Sequence, residues 1–168
     1  MTYSRPVALA YAQDALSAPP AARYVVRPKP AGELVWQCVV PSELCPTVNV
    51  GLRANHWKRA KNKRQLFAMM LAQNGLRVRR QALPGRPVVH CVRFTSVCPD
   101  AQTAWSKDVV DCLLTRKVTR LKNGRLRERQ GLGFIEDDSP EHIDLHCWWE
   151  PGKRGAGFVL VRVYGGEA

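Results

Sequence analysis

Between Glu43 and Asp100 the chain has no acidic residue, and this one-signed stretch places the strongest constraint on its fold. Like charges repel unless an anion from elsewhere neutralises them. Nucleic acid is the usual anion for such a stretch, because each phosphate contact also releases counterions. The stretch contains eleven cations: Arg53, Lys58, Arg59, Lys61, Lys63, Arg64, Arg77, Arg79, Arg80, Arg86 and Arg93.

The whole chain is also strongly basic. It has 168 residues and a formal net charge of +12, which suits a polyanion-binding domain with a hydrophobic core and an additional arm. No run of about 18 apolar residues is present, so we expect no transmembrane helix. A membrane surface is disfavoured, because no long basic helix carries a Trp/Leu face. The N-terminus is weakly hydrophobic and is interrupted by Gln13 and Asp14, which disfavours a signal peptide.

The cysteines indicate a reducing compartment. None of the six belongs to a C-x-x-C pair, and most lie beside apolar residues in predicted strands or helices. We interpret them as reduced core thiols of a cytoplasmic protein. They are Cys38, Cys45, Cys91, Cys98, Cys112 and Cys147.

The apolar pattern predicts an α/β chain of the α+β type, a small mixed β-sheet with two main helices. Residues 1–32 are rich in Ala and Pro and predict an arm, which leaves one domain at 33–165. Strands are predicted at 34–40, 87–97, 143–149 and 157–164. The last two are expected to pair as an antiparallel hairpin.

Two segments have helical spacing. At 57–74 the apolar stripe contains Leu66, Met69, Met70 and Gln73, and Asn74-Gly75 is a good helix end. The cations in the first half of this helix oppose its dipole, which favours a use such as phosphate binding.

The second helix follows Ser106, a suitable N-cap. Its residues Val110, Leu113 and Leu114 should face the core. After it, residues 117–127 have an Asn-Gly pair at their centre, the strongest short-range signal for a β-hairpin. Both a solvated hairpin and a DNA-contacting ribbon fit this cationic segment.

Three adjacent carboxylates, Glu136, Asp137 and Asp138, stand out in so basic a chain. Adjacent like charges repel, and burial would raise their pKa values. A bound divalent cation removes that cost, and sites rich in carboxylate oxygens favour Mg²⁺. A solvated acidic loop is the alternative.

Other charged residues give the acidic loop possible partners. Lys107 and Asp111 are four residues apart and share one helix face. If that helix packs beside the acidic loop, Asp100, Lys107, Asp111 and Asp138 converge. Carboxylates could then hold Mg²⁺, which activates water and stabilises a leaving oxygen, while the Lys offsets transition-state charge.

These pieces resemble, in order, the RusA family of Holliday junction resolvases over roughly residues 34–164. They are Pro46-Thr47-Val48-Asn49, the basic helix, Pro99-Asp100, Lys-x-x-x-Asp-x-Leu at Lys107 to Leu113, and Gly133-Phe134-Ile135-Glu136-Asp137-Asp138. The resemblance implies a RusA-like homodimer that binds four-way DNA junctions. It cuts them symmetrically near the branch point with Mg²⁺, for which Mn²⁺ can substitute.

The resemblance also implies roles for residues. Those expected in catalysis are Asp100, Lys107, Asp111 and Asp138, and the expected metal ligands are Asp100, Asp137 and Asp138. The expected DNA-binding residues are Arg53, Lys58, Arg59, Lys61, Lys63, Arg64, Arg120, Lys122 and Arg125.

One departure divides the functional hypotheses. The family's usual Asp-x-Asp-Asn-Leu-x-Lys is one residue longer here and keeps only Asp100, with uncharged Gln102 or Thr103 in place of the second Asp. The loss of one carboxylate should weaken Mg²⁺ binding and slow hydrolysis. The chain is therefore either an endonuclease for branched DNA or a DNA-binding module whose catalytic site has decayed. An RNA-binding protein is a third hypothesis, which rests on charge alone.

Three weaker features remain. His142, Asp144 and His146 alternate along one strand face and could suit a metal, although we expect a polar strand face. His56, beside Trp57 and Lys58, could stack on a base or sugar, but a Trp near a helix start is more typical of a packing anchor, which we expect here. Trp105 either fills space beside the altered motif or inserts at a junction.

Overall fold

A computed structural model of the chain describes residues 32–46, 55–98 and 107–166. Within these ranges the protein has two helices, a four-stranded mixed sheet and a two-stranded ribbon, so the predicted α+β class is confirmed. The elements in chain order are β1 (Leu34–Pro41), α1 (His56–Gln73), β2 (Val88–Thr95), α2 (Lys107–Leu113), β3 (Lys117–Arg120), β4 (Leu126–Arg129), β5 (Asp144–Pro151) and β6 (Phe158–Tyr164).

Several predictions concern residues outside the described ranges. They are the arm at 1–31, the Thr47-Val48-Asn49 motif, Arg53, Asp100, Gln102, Thr103, Trp105 and the N-cap Ser106.

The strand order in the sheet is β1-β6-β2-β5. Strand β6 is antiparallel to both β1 and β2, whereas β5 is parallel to β2. The predicted β5–β6 hairpin is therefore wrong, because β2 lies between the two strands: Cys91 has Cys147 on one side and Val161 on the other. The N–H of Gly152 donates to the carbonyl of Thr95 at 3.0 Å, so the connection passes the end of β2.

Helix α1 has a capping residue at each end. The side chain of Asn55 accepts a hydrogen bond from the N–H of Lys58 at 2.9 Å, which caps the first turn. The predicted helix end is confirmed, since Asn74 is the C-cap and Gly75 has a φ of 62°. Leu66 and Met70 are fully buried, which fixes the core-facing side of the helix.

Gln73, the polar residue at the end of the apolar stripe of α1, also has a packing role. The side-chain amide of Gln73 donates to the carbonyl of Val39 at 2.8 Å and accepts from its N–H at 3.0 Å. Gln73 therefore satisfies both backbone groups of a residue in the edge strand β1, as a neighbouring strand would.

Both helices contribute to one core on one face of the sheet. The predicted burial of Val110, Leu113 and Leu114 is confirmed, since none exceeds 2% exposure. A smaller cluster of Val92, Phe158 and Leu160 lies apart from this core.

All six cysteines lie in the described ranges, and each is a reduced thiol. Burial raises the pKa of Cys112 to about 12, and burial also holds the pKa of Cys38 well above its usual value. These two thiols therefore stay protonated near neutral pH and are poor nucleophiles and metal ligands. No helix in the described part of the chain is long and apolar enough to cross a membrane.

Candidate functional site

The Gly-Phe segment docks on the end of α2 through its backbone. The N–H of Leu132 donates to the carbonyl of Cys112 at 2.8 Å, and the N–H of Thr115 donates to the carbonyl of Ile135 at 2.8 Å. Ile135 also forms an isolated parallel bridge with Leu114. The chain that leads into the acidic loop is thereby fixed to the helix that carries Lys107 and Asp111.

Gly133 is required for this docking. Its φ is +82°, and a Cβ at this position would lie 2.3 Å from the carbonyl oxygen of Arg79. The close approach belongs to a second set of backbone contacts, in which the N–H of Arg79 donates to the carbonyl of Leu132 at 2.9 Å. The neighbouring Phe134 stacks on Trp36 with ring centroids 4.9 Å apart. The segment is thus held on two sides, and only glycine fits at its centre.

Two of the expected catalytic residues meet beyond this segment. The Nζ of Lys107 lies 3.6 Å from Oδ2 of Asp138, although 31 positions separate the residues. The side chain of Lys107 is 60% exposed and that of Asp138 is 32% exposed. This pair is therefore accessible to a ligand from solvent.

Asp111 is engaged by a different cation. The Nζ of Lys63, on α1, lies 2.5 Å from Oδ2 of Asp111, and the Asp111 side chain is only 18% exposed. The sequence predicts a DNA-binding role for Lys63 and gives no indication that it is the partner of Asp111. No short-range sequence signal connects residues 48 positions apart, so only the packing of α1 against α2 reveals this pair.

The three adjacent carboxylates have different main partners. Oδ1 of Asp137 accepts a hydrogen bond from the N–H of Ser139 at 3.1 Å, which lowers the pKa of Asp137 and closes a local turn. Oε2 of Glu136 faces Nδ1 of His142 at 3.9 Å, while Asp138 faces Lys107. Asp137 also has a side-chain hydrogen bond with Asp138, and His142 lies near both Glu136 and Asp137.

The described residues alone do not complete a metal site. Across residues 32–46, 55–98 and 107–166, no three His, Cys, Asp or Glu side chains are grouped so that they could hold an ion. Asp138 supplies oxygen donors of the kind that Mg²⁺ prefers. The further expected ligand, Asp100, is outside those ranges. The metal ligand set therefore stays a prediction.

The alternating residues of β5 do not form a three-ligand site either. His142 lies before the strand, while Nε2 of His146 is 3.3 Å from Oδ2 of Asp144. Asp144 is also 3.7 Å from a guanidinium nitrogen of Arg86, and the ring of His146 lies edge-on to that of His90. These contacts fit the partly exposed polar strand face that we expected.

The described DNA-binding candidates are all exposed. Those on the first half of α1 are Lys58, Arg59, Lys61, Lys63 and Arg64, and those of the ribbon are Arg120, Lys122 and Arg125. The predicted hairpin is confirmed, with Lys117 opposite Arg129 and Arg120 opposite Leu126. Because residues 112–115 bond to 132–135 at its base, the ribbon is an insertion that leaves the docking of the acidic loop intact.

Trp57 is not a packing anchor, and that prediction is wrong. Its side chain is 79% exposed. Leu66 lies nine residues further along α1, which at about 100° a residue puts it on the opposite side of the helix. The core-facing stripe therefore cannot include Trp57, and the indole projects into solvent.

Comparison of the chain with family models, with curated proteins and with solved structures gives no match.

Proposed function

We propose that the chain is a metal-dependent endonuclease that cuts four-way or related branched DNA as a homodimer in the cytoplasm. The observation that supports this best is the approach of Lys107 to Asp138, at 3.6 Å on a partly exposed surface. The resemblance to RusA-type resolvases implies that a helix lysine assists aspartates that hold Mg²⁺. The two residues lie 31 positions apart in the sequence.

In this proposal each charged side chain has a distinct task. Asp100, Asp137 and Asp138 would hold Mg²⁺ or Mn²⁺. When bound, the metal supplies an activated water and stabilises the leaving oxygen. Lys107 places its ammonium group where charge accumulates on the scissile phosphate.

Asp111 has a supporting task. Its carboxylate binds Lys63 and thus joins α1 to α2, which holds the cation-rich helix beside the candidate site. The partial burial of Asp111 makes this pair less sensitive to salt than a surface pair.

DNA binding is assigned to the exposed cations of α1 and of the ribbon. A net charge of +12 attracts the phosphate backbone from a distance and releases counterions on contact. Reduced thiols at all six cysteines fit a reducing cytoplasm.

The second candidate is a junction-binding module that no longer cuts. It is favoured by uncharged Gln102 and Thr103 where the family has an aspartate. This candidate keeps the cationic surface and the fold but predicts no metal-dependent nicks.

The test compares cleavage with binding in two charge-matched variants. Asp138→Asn should abolish nicking of a synthetic four-way junction and leave its dissociation constant in EDTA within about threefold. Glu141→Gln changes the charge equally on the same exposed turn and should cut like the wild type. Retained cutting by Asp138→Asn contradicts the proposed site, whereas junction binding without nicks by the wild type establishes the second candidate.

A further inference from the structure

The outward face of α1 combines one exposed indole with two exposed cations. Trp57, Lys61 and Arg64 are spaced at i, i+4 and i+7, so they lie in one row on the helix. Leu66 and Met70 are fully buried on the other side, which turns this row towards solvent. Along the helix axis the row spans about 10 Å, roughly the rise of three base pairs.

Trp57 is unusual for its residue type. Tryptophan is on average among the more buried residues, yet this side chain is 79% exposed. Among the residues that the structure describes, its ring contact is with His56, whose ring lies edge-on with centroids 5.9 Å apart. A large planar face is therefore open to a ligand.

The surroundings of the indole indicate which ligand fits. Lys58, Lys61 and Arg64 are exposed around it, and no acidic residue occurs between Glu43 and Asp100. A π-surface among cations is the combination that binds an unpaired base, with the ring stacked on the base and the cations on the flanking phosphates. A base within a duplex already stacks on its neighbours and leaves no face for the indole.

The position of the row connects it to the candidate site. Lys63 follows Trp57 by six residues, about 9 Å along the axis, and pairs with Asp111 on α2. Asp111 in turn is one helical turn from Lys107, which faces Asp138. A strand whose base stacks on Trp57 would thus lie on the helix that is joined to α2 by the Lys63–Asp111 pair.

We propose that Trp57 stacks on an unpaired base at the branch point, and that it makes the protein prefer DNA with unpaired bases over plain duplex. This inference rests on the proposed function, because it takes branched DNA as the ligand. It adds a specificity residue outside the expected metal and lysine set.

The test measures affinity in EDTA by fluorescence anisotropy, so that cleavage does not interfere. The probes are a three-way junction with unpaired thymines at its branch and a linear duplex of equal length. Trp57→Ala should weaken binding to the junction by about 5- to 100-fold and binding to the duplex by less than twofold. Trp57→Phe, which keeps an aromatic face, should restore most of the preference.

The control is Leu76→Ala, which removes another exposed apolar side chain just beyond the far end of α1 and should change neither affinity. Equal loss on both probes, or no loss with Trp57→Ala, overturns the inference. So does a loss seen only on vesicles containing phosphatidylserine, which would make Trp57 a membrane contact. Wild-type cutting with Mg²⁺ is scored separately, so a failure of the nuclease proposal appears there and not in the Trp57 comparison.

Discussion

Lys63 on α1 forms an ion pair with Asp111 on α2, with 2.5 Å between Nζ and Oδ2. This pair neutralises one cation of the DNA-binding set within the protein. Lys61, two residues earlier, has no ion-pair partner among the described residues and faces solvent. The two lysines are therefore a matched pair with different tasks.

The first prediction separates these tasks by salt dependence. Lys61→Ala should lower the slope of log affinity against log salt for four-way DNA by about 1, because one phosphate contact is lost. Lys63→Ala should change that slope by clearly less, because its charge is already used by Asp111. Equal slopes in the two variants would contradict the internal role of Lys63.

The second prediction concerns the ribbon. Because Lys117 and Arg129 face each other across it, an Asn-Gly turn can replace residues 118–128. The shortened protein should keep its fold by circular dichroism but lose about 2 to 4 units of salt slope, if the ribbon contacts DNA. The triple variant Arg120→Gln, Lys122→Gln, Arg125→Gln keeps the ribbon and should give a similar loss. An unchanged slope in both would identify a solvated hairpin.

The third prediction uses two glycines with nearly the same φ. Gly133→Ala should destabilise the protein by about 3 kcal/mol or more, because φ is +82° and the new Cβ meets the carbonyl of Arg79. Gly124→Ala, at φ +79° in open space, should cost about 1 kcal/mol. Urea unfolding measures both values. Equal costs would mean that the close approach at Gly133 is not maintained in solution.

The fourth prediction follows from a buried histidine. His90 is 3% exposed, and burial, with smaller contributions from His146 and Arg162, lowers its pKa to about 4. The folded-state pKa of His90 is below its unfolded value, so the unfolded chain takes up a proton at a higher pH than the folded protein does. The stability associated with neutral His90 is therefore present in full above pH 6.5 and is lost as the pH falls towards 4. The wild type should therefore lose about 2–3 kcal/mol of stability across that window relative to His90→Gln. Parallel pH profiles would contradict it.

Much of the fold could be predicted because it depends on local patterns. The strand at 34–40, the helix ended by Asn74-Gly75 and the Asn-Gly hairpin each carry their signal within about 18 residues. The β5–β6 pairing was wrong because strand neighbours are chosen by long-range packing. In particular, β2 is buried along most of its length and pairs with a strand on each side. The turn signal at 151–155 does not indicate this arrangement.

The candidate site also combines features that the sequence indicates with features that depend on long-range packing. The approach of Lys107 to Asp138 was anticipated on the condition that the second helix packs beside the acidic loop, which it does. The Lys63–Asp111 pair and the exposure of Trp57 were not, since both depend on how α1 rotates about its axis against the core. The rotation is set by Leu66 and Met70, whose burial the sequence pattern indicated, but the partners across the interface were not visible in it.

The central claim is metal-dependent cutting of branched DNA, and the most direct test is a cleavage assay on a synthetic four-way junction. Pure wild-type protein is incubated with Mg²⁺, with Mn²⁺ or with EDTA, beside a linear duplex of the same sequence. We predict paired symmetric nicks near the branch point with either metal, none in EDTA and none on the duplex. Junction binding without any metal-dependent nick would contradict the claim and leave a DNA-recognition module.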